Sequence, residues 1–289
     1  MSHEDLRIEP IEKMEGGRLL IAFDGWMDGG DVSTGTAEWL IEQLDADQIG
    51  DIDPEPFYLL NFPGSMEVAS LFRPHVRIEH GLVEEFEPPA DLVYHAPDQR
   101  LVIVIAREPH MHWRRFADAI LELVDRAGVE ESYFVGSVAG MTPHTREPRL
   151  RASVSSGRLI PRLEGVGVGL SDYEGPASFI TYLTVRAAEA RLQLASLVAE
   201  IPAYVQGQNP KAIESVLRKI LPLLDLPLDI ETLRAVSDQW EKRIDEAVTE
   251  RDELAQHIHK LEEDYDHEVF DTQMGDLKTW LEQQGIEVD

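Results

Sequence analysis

The sequence predicts an α/β domain, a mostly parallel sheet covered by helices on both faces, followed by a helical arm. Three observations carry this. Up to about residue 228, short apolar runs alternate with amphipathic helical runs, the pattern of strand–helix–strand units. Residues 101–106 (LVIVIA) form a continuous, largely β-branched run, typical of a strand buried on both faces. Beyond that point the chain turns purely helical and strongly acidic. The expected division is therefore a domain over 1–228 and an extension over 229–289.

Each element follows from local pattern. Residues 18–24 are a buried strand, and the glycine-rich turn 25–31 leads into a helix over 32–44, with Ala37, Leu40, Ile41 and Leu44 on one face. Residues 56–62 read as a strand stopped by Pro63 and Gly64, and 73–86 as a hairpin turning at His80 and Gly81. A helix over 113–127 is closed by Gly128. Strands are expected at 132–138, 150–155 and 165–170. A helix is expected over 178–194, a short strand over 197–201, and a helix from Pro210 to about residue 221, with proline at its first position.

The extension has its own signature. No proline or glycine occurs from 233 to 269, and Ile244, Ala247, Leu254, Ile258, Leu261 and Tyr265 recur at three- and four-residue steps, interrupted by Arg251. A second helix is expected over 276–284, after a break at Gly275. Residues 229–289 hold 19 acidic and 6 basic residues. The seam Ile244, Leu254, Ile258, Leu261 and Tyr265 either folds back within the chain or pairs with another chain as a coiled coil.

Composition narrows the function. The 289 residues are 43% hydrophobic, enough for a sizeable core. With 26 basic against 55 acidic residues the formal charge is −29, which opposes nucleic acid and anionic membranes. The absence of cysteine excludes disulfides, zinc–thiolate sites and iron–sulfur clusters. No transmembrane run and no secretory pattern is seen, so a cytoplasmic protein is expected. No metal or cofactor is expected.

In parallel sheets ligands sit at the carboxyl ends of the strands. Four segments there carry candidate residues. Residues 24–31 (DGWMDGGD) supply Asp24, Gly25, Trp26, Asp28 and Gly29. Glycines before a helix expose backbone N–H groups to an anion. Three aspartates oppose phosphate, and neither a dinucleotide fingerprint, a P-loop nor a calcium-loop spacing is present. Helix capping competes with ligand binding as the role of this turn. Residues 107–113 supply Glu108 and His110, and His110 with His112 is a weak metal pair lacking an identifiable third ligand. Residues 136–146 supply His144 and Arg146. Ser137 lacks the glycine of a nucleophile elbow, so serine hydrolysis is not supported. Residues 171–176 supply Tyr173 and Glu174, before a helix start. Trp26, Trp39 and Trp113 are expected to pack, and His257, His259 and His267 to be solvated.

The order of these segments resembles a known family. The first strand ends in Phe23, Asp24, Gly25 and Trp26; later come Gly136 and Ser137, then His144, Arg146 and Pro148, and finally Glu200, Pro202 and Tyr204 before Asn209, Pro210 and Ala212. Over roughly residues 15–235 this resembles the proteasome assembly chaperone 2 family, in the branch with an acidic helical extension. The resemblance implies a three-layer α/β/α sandwich similar to nucleoside phosphorylases, self-association (a trimer by fold analogy) and no established catalytic set. The chain ends Ile286, Glu287, Val288, Asp289, unlike members that dock on proteasome rings through a hydrophobic residue and tyrosine. The reading is a non-catalytic, self-associating assembly protein with a protein partner at the arm. The alternative is a nucleoside-phosphorylase-like or other small-ligand enzyme, in which Gly25 and Gly29 line an anion site, Arg146 pairs with phosphate, and His110 or His144 moves protons.

Overall fold

A computed structural model describes residues 4–249 and 251–283. Along the chain run β1 (Leu6–Ile8), β2 (Gly17–Asp24), α1 (Val32–Leu44), β3 (Asp47–Ile52), α2 (Met66–Ser70), β4 (His75–Glu79), β5 (Leu82–Glu87), β6 (Asp91–Ala96) and β7 (Leu101–Arg107). There follow α3 (Trp113–Ala127), β8 (Val129–Gly140), β9 (Arg149–Val154), α4 (Ile160–Gly165), β10 (Gly169–Leu170), α5 (Phe179–Glu189), β11 (Gln193–Pro202), α6 (Pro210–Leu223), α7 (Glu231–Thr249) and α8 (Asp252–Gln283). Among the described residues these build a nine-stranded sheet in the order β1-β3-β6-β7-β2-β8-β11-β9-β10 and a separate hairpin of β4 and β5.

The centre is parallel: β7, β2, β8 and β11 run together, with their carboxyl ends on one edge. The flanks are antiparallel, since β6 reverses against β7 and β9 against β11. Alternate residues of the central strands feed two cores. Leu20, Ala22, Ile103 and Leu197 face α1 and α6, where Leu40, Ile213 and Leu217 await them. Leu19, Ile21, Val104 and Phe134 face α3 and α5, packed on Phe116, Leu123 and Phe179. This double coverage is why β2 and β7 read as unbroken apolar runs. The architecture is a three-layer α/β/α sandwich with a C-terminal helical arm.

Several elements differ from the sequence reading. Residues 56–62 form no strand. Two of their side chains plug a gap: Phe57 meets Phe116 edge-on at 4.8 Å, and Tyr58 is buried, while Leu60 and Phe62 stay exposed. The strand on that side is β3, whose polar sequence hid it. Strand β6 also escaped notice. Only Gly169 and Leu170 of 165–170 are extended, because α4 runs to Gly165 and a turn follows it. Helix α5 ends at Glu189, where Arg191 turns the chain at φ 60° and Leu194 joins the sheet in β11. Gly275 does not interrupt α8, since one glycine costs a helix only about 1 kcal/mol. The break falls earlier, between α7 and α8, beside the Arg251 that interrupts the seam. Gln284 lies outside the described residues.

Candidate functional site

The turn after β2 is a helix cap. The Asp28 carboxylate accepts from the backbone N–H of Ser33 (2.7 Å) and Thr34 (3.2 Å) and from the Thr34 hydroxyl (2.7 Å). The start of α1 therefore already holds an anion, the chain's own. Burial, outweighing these hydrogen bonds, pushes the Asp28 carboxyl up to about 6. Gly29 packs its Cα side against Ile201, and its carbonyl accepts from the buried Ser137 hydroxyl. Gly25, at φ 133°, passes close to Glu108. Glu108 in turn accepts from the Phe179 N–H (2.7 Å) near the start of α5.

Asp24 faces a cavity of about 620 Å³ lined also by Glu38, Glu42, Glu87, Arg73 and Arg107. Its mixed charge, with four acids to two arginines, does not favour phosphate. Trp26 is 56% exposed, contrary to its expected packing role; it lies past the end of β2, beyond the helical layers that cover Trp39 and Trp113. Tyr173 and Glu174 are exposed and line neither this cavity nor a second one of about 460 Å³ beside α8. The His110 Nδ1 accepts from the Leu59 N–H (3.1 Å), and burial and then Arg107 push its pKa down. Among the described residues no cluster is placed to hold a metal ion.

The three stretches of the family resemblance meet at the carboxyl ends of β8 and β11. Glu200 accepts from the Met141 N–H (2.7 Å). The Tyr204 hydroxyl takes the His144 N–H (2.8 Å) and lies 2.7 Å from His144 Nδ1. Asn209 caps α6 by accepting from the Ala212 N–H (3.0 Å), while its own N–H donates to the Gly30 carbonyl (2.8 Å). Asn209 stands where the sequence opens a helix before Pro210, whereas Tyr204 and Glu200 were visible only as parts of a motif, and nothing in their spacing announced these contacts.

The arm closes over this corner. His144 is buried, and its Nε2 lies 3.0 Å from Asp245 of α7. Arg146 donates two hydrogen bonds of 2.8 Å to Asp266 of α8 and sits 3.5 Å from Glu262. That pairing holds Asp266 below the usual carboxylate range. Thr145 donates to Glu262, and Lys211 pairs with Glu241. Arg149 pairs with Glu268 and stacks over the Tyr265 ring at 4.1 Å, while Tyr265 donates to the Glu147 carbonyl (2.9 Å). On the same arm Ile258 and Leu261 are buried, with Ile244 and Leu254 half-buried. Each exposed ion pair contributes ~0.2–1 kcal/mol, each buried aliphatic ~1.5–3 kcal/mol. Apolar burial thus dominates the docking, and the charges set its register. The seam is folded back within the chain.

The chain is thus an α/β/α protein, a mixed sheet between two helical layers, whose acidic helical arm packs on the loop after β8. The chain belongs to the PAC2 family, whose family model matches residues 22–248. It is similar to a proteasome-assembly chaperone homologue of Mycobacterium tuberculosis, 28% identical, with a TM-score of 0.72 over 83% of this chain and 99% of that one. A PAC2 family protein of Streptomyces avermitilis is 25% identical, with a TM-score of 0.70 over 83% and 99%. A Corynebacterium glutamicum protein of unknown function shares the fold, at 22% identity and a TM-score of 0.78 over 91% and 97%. No curated protein matches the chain significantly in sequence. Among the described residues no helix is long and apolar enough to cross a membrane.

Proposed function

We propose that this chain is a non-catalytic, chaperone-like assembly protein that self-associates, as a trimer by analogy of fold, and meets a protein partner at the surface formed by the loop 141–149 and the arm. The domain 1–228 acts as the platform and the extension 229–289 as the strap. One observation carries this reading: Arg146, the residue that would pair with phosphate in the enzyme alternative, is bound by Asp266 and Glu262 of the arm, and His144 Nε2 lies against Asp245 of the same arm. The Mycobacterium tuberculosis relative, a proteasome-assembly chaperone homologue, supports the same role.

The test is a purification of the tagged full-length chain from its native host after cross-linking, beside Leu261→Asp, which releases the arm. A stoichiometric protein partner whose recovery changes with the arm supports the proposal. Phosphate-dependent turnover of a nucleoside, abolished in Arg146→Ala, would replace it with the enzyme reading. The 620 Å³ cavity beside Asp24 and Arg107 favours, as a second reading, a small-ligand module without turnover. Thermal stabilisation of the chain by a nucleoside or a small acid, lost in Arg107→Ala, is its test.

A further inference from the structure

The cavity of about 460 Å³ lies between the outer end of the sheet and the arm. Residues of β9 and the start of β10 line it, together with Lys219 of α6, and Tyr265, Glu268 and Val269 of α8 close it. Its charge runs against that of the molecule. The chain holds 26 basic against 55 acidic residues, yet this cavity is lined by Arg149, Arg151 and Lys219 with only Glu147 and Glu268. Both acids are already committed. Glu147 accepts from Arg218 (2.7 Å), which lies outside the lining, and Glu268 pairs with Arg149 (3.0 Å). Among the described residues Arg151 and Lys219 form no ion pair, and Arg151 reaches only the Leu170 carbonyl, at 3.4 Å. Arg151 and Lys219 thus bring positive charge to the cavity without a counter-charge of their own.

Two further details mark the space between these cations. The Nη2 of Arg149 is buried without a well-formed hydrogen bond, although Glu268 lies close by. Gly167 turns at φ 72°, and a Cβ there would come 3.3 Å from Lys219 Nζ; a Cβ on Gly169 would lie 3.7 Å from Arg151 Nη1. The two glycines leave the space beside both cationic groups clear of side chains. Pro148, Leu150 and Val269 add an apolar wall.

We infer that this cavity binds a small phosphate monoester, its phosphate held by Arg151, Lys219 and Arg149 and its organic part laid on Pro148, Leu150 and Val269. Charge selects the ligand class. A phosphate monoester carries about −1.5 to −2 at pH 7, which answers the two uncommitted cations. Guanidinium groups take phosphate through paired N–H bonds, and lysine adds a point charge. The volume falls within the ~300–1,000 Å³ of small-ligand pockets. The formal charge of −29 does not forbid this, because salt screens charges beyond ~8 Å at physiological ionic strength, so the cations touching the ligand outweigh distant carboxylates. Arg146 does not line this cavity, and the inference stands apart from the assembly role proposed above.

The test is isothermal titration calorimetry of the full-length chain with phenyl phosphate, beside phenol, inorganic phosphate and succinate. Phenyl phosphate is expected to bind once per chain, inorganic phosphate more weakly, and phenol not at all. The double variant Arg151→Gln with Lys219→Gln should bind phenyl phosphate at least ~tenfold more weakly, having lost two charge-assisted contacts. Its circular dichroism and urea midpoint should match the wild type, since neither side chain holds an ion pair in the fold. No binding of phenyl phosphate to the wild type at millimolar concentration overturns the inference, and so does wild-type affinity in the folded double variant. Binding kept by that variant but lost in Arg146→Ala would move the anion to the corner beside His144 and overturn this site. Succinate binding more tightly than phenyl phosphate would overturn the phosphate assignment in favour of a dicarboxylate.

Discussion

The hydroxyl of Tyr58 lies 2.6 Å from Oδ1 of Asp91. It lies equally close to the Arg107 carbonyl, and one hydroxyl proton cannot serve both acceptors. A protonated Asp91 would supply the second proton. Its environment favours that form: the residue is fully buried, its Oδ2 has no hydrogen-bond partner, and burial pushes its carboxyl from 3.8 up to about 7. Among the described residues the only backbone donor to Oδ1 is the Arg107 N–H, at 3.2 Å.

A pH dependence follows. The folded chain holds this proton up to about pH 7, whereas the unfolded chain releases it near 3.8. The stability contributed by neutral Asp91 is complete below about pH 4 and is lost as pH rises through about 7. Asp28, raised to about 6, acts in the same direction over a lower window. The urea midpoint of the wild type should therefore fall between pH 5 and pH 8. Asp91→Asn should flatten that fall without abolishing it. Equal slopes for the two proteins would show that Asp91 is ionised in the fold.

Tyr204→Phe removes the only group that answers both the backbone N–H and the Nδ1 of His144. Two buried polar atoms lose a partner, so the loss should be about 1–3 kcal/mol in urea unfolding. Amide exchange at His144 should rise together with exchange in α7, because His144 also holds Asp245. An effect confined to the Tyr204 loop would separate the two elements.

The arm offers a comparison of magnitudes. Leu261→Ala deletes a buried aliphatic side chain and should cost about 2–4 kcal/mol of docking, seen as faster amide exchange and proteolysis along α8. Arg146→Ala removes the exposed pairs with Asp266 and Glu262 and should cost less than Leu261→Ala, more in low salt than in high. The reverse order would make charge, rather than burial, the main tether.

Gly30 sits at φ 67°, and a Cβ there would lie 2.8 Å from Cβ of Asn209. Gly30→Ala must adopt a left-handed backbone and push on the residue that caps α6, so a cost of about 1–3 kcal/mol is expected in thermal unfolding. A neutral substitution would mean that the turn and α6 can separate without loss.

The family was legible in the sequence because its polar stretches keep their order, and so was the sandwich, because double coverage writes β2 and β7 as continuous apolar runs. Helices α1 and α3 were legible to the residue: periodicity and a terminal Gly128 are local properties. Strand β3 was not, since it lies next to the sheet's rim, flanked outward only by the three-residue β1, and DQIGDI carries no alternation. Residues 56–62 misled for the opposite reason, since Phe57 and Tyr58 are apolar in order to fill a gap rather than to pair. In the candidate site, His144 and Arg146 could be nominated from composition, but their partners lie 101 and 120 residues away on the arm.

What the sequence by itself determined is the set of local periodicities: which segments are helices, which strands are buried, and that the arm carries an apolar seam on an acidic helix. Only the tertiary structure decided where that seam goes. Periodicity fixes which face of a helix is apolar but not what covers it; cover is chosen by the loop that presents His144, Arg146 and Arg149 to the carboxylates of the arm on which Ile258 and Leu261 are buried.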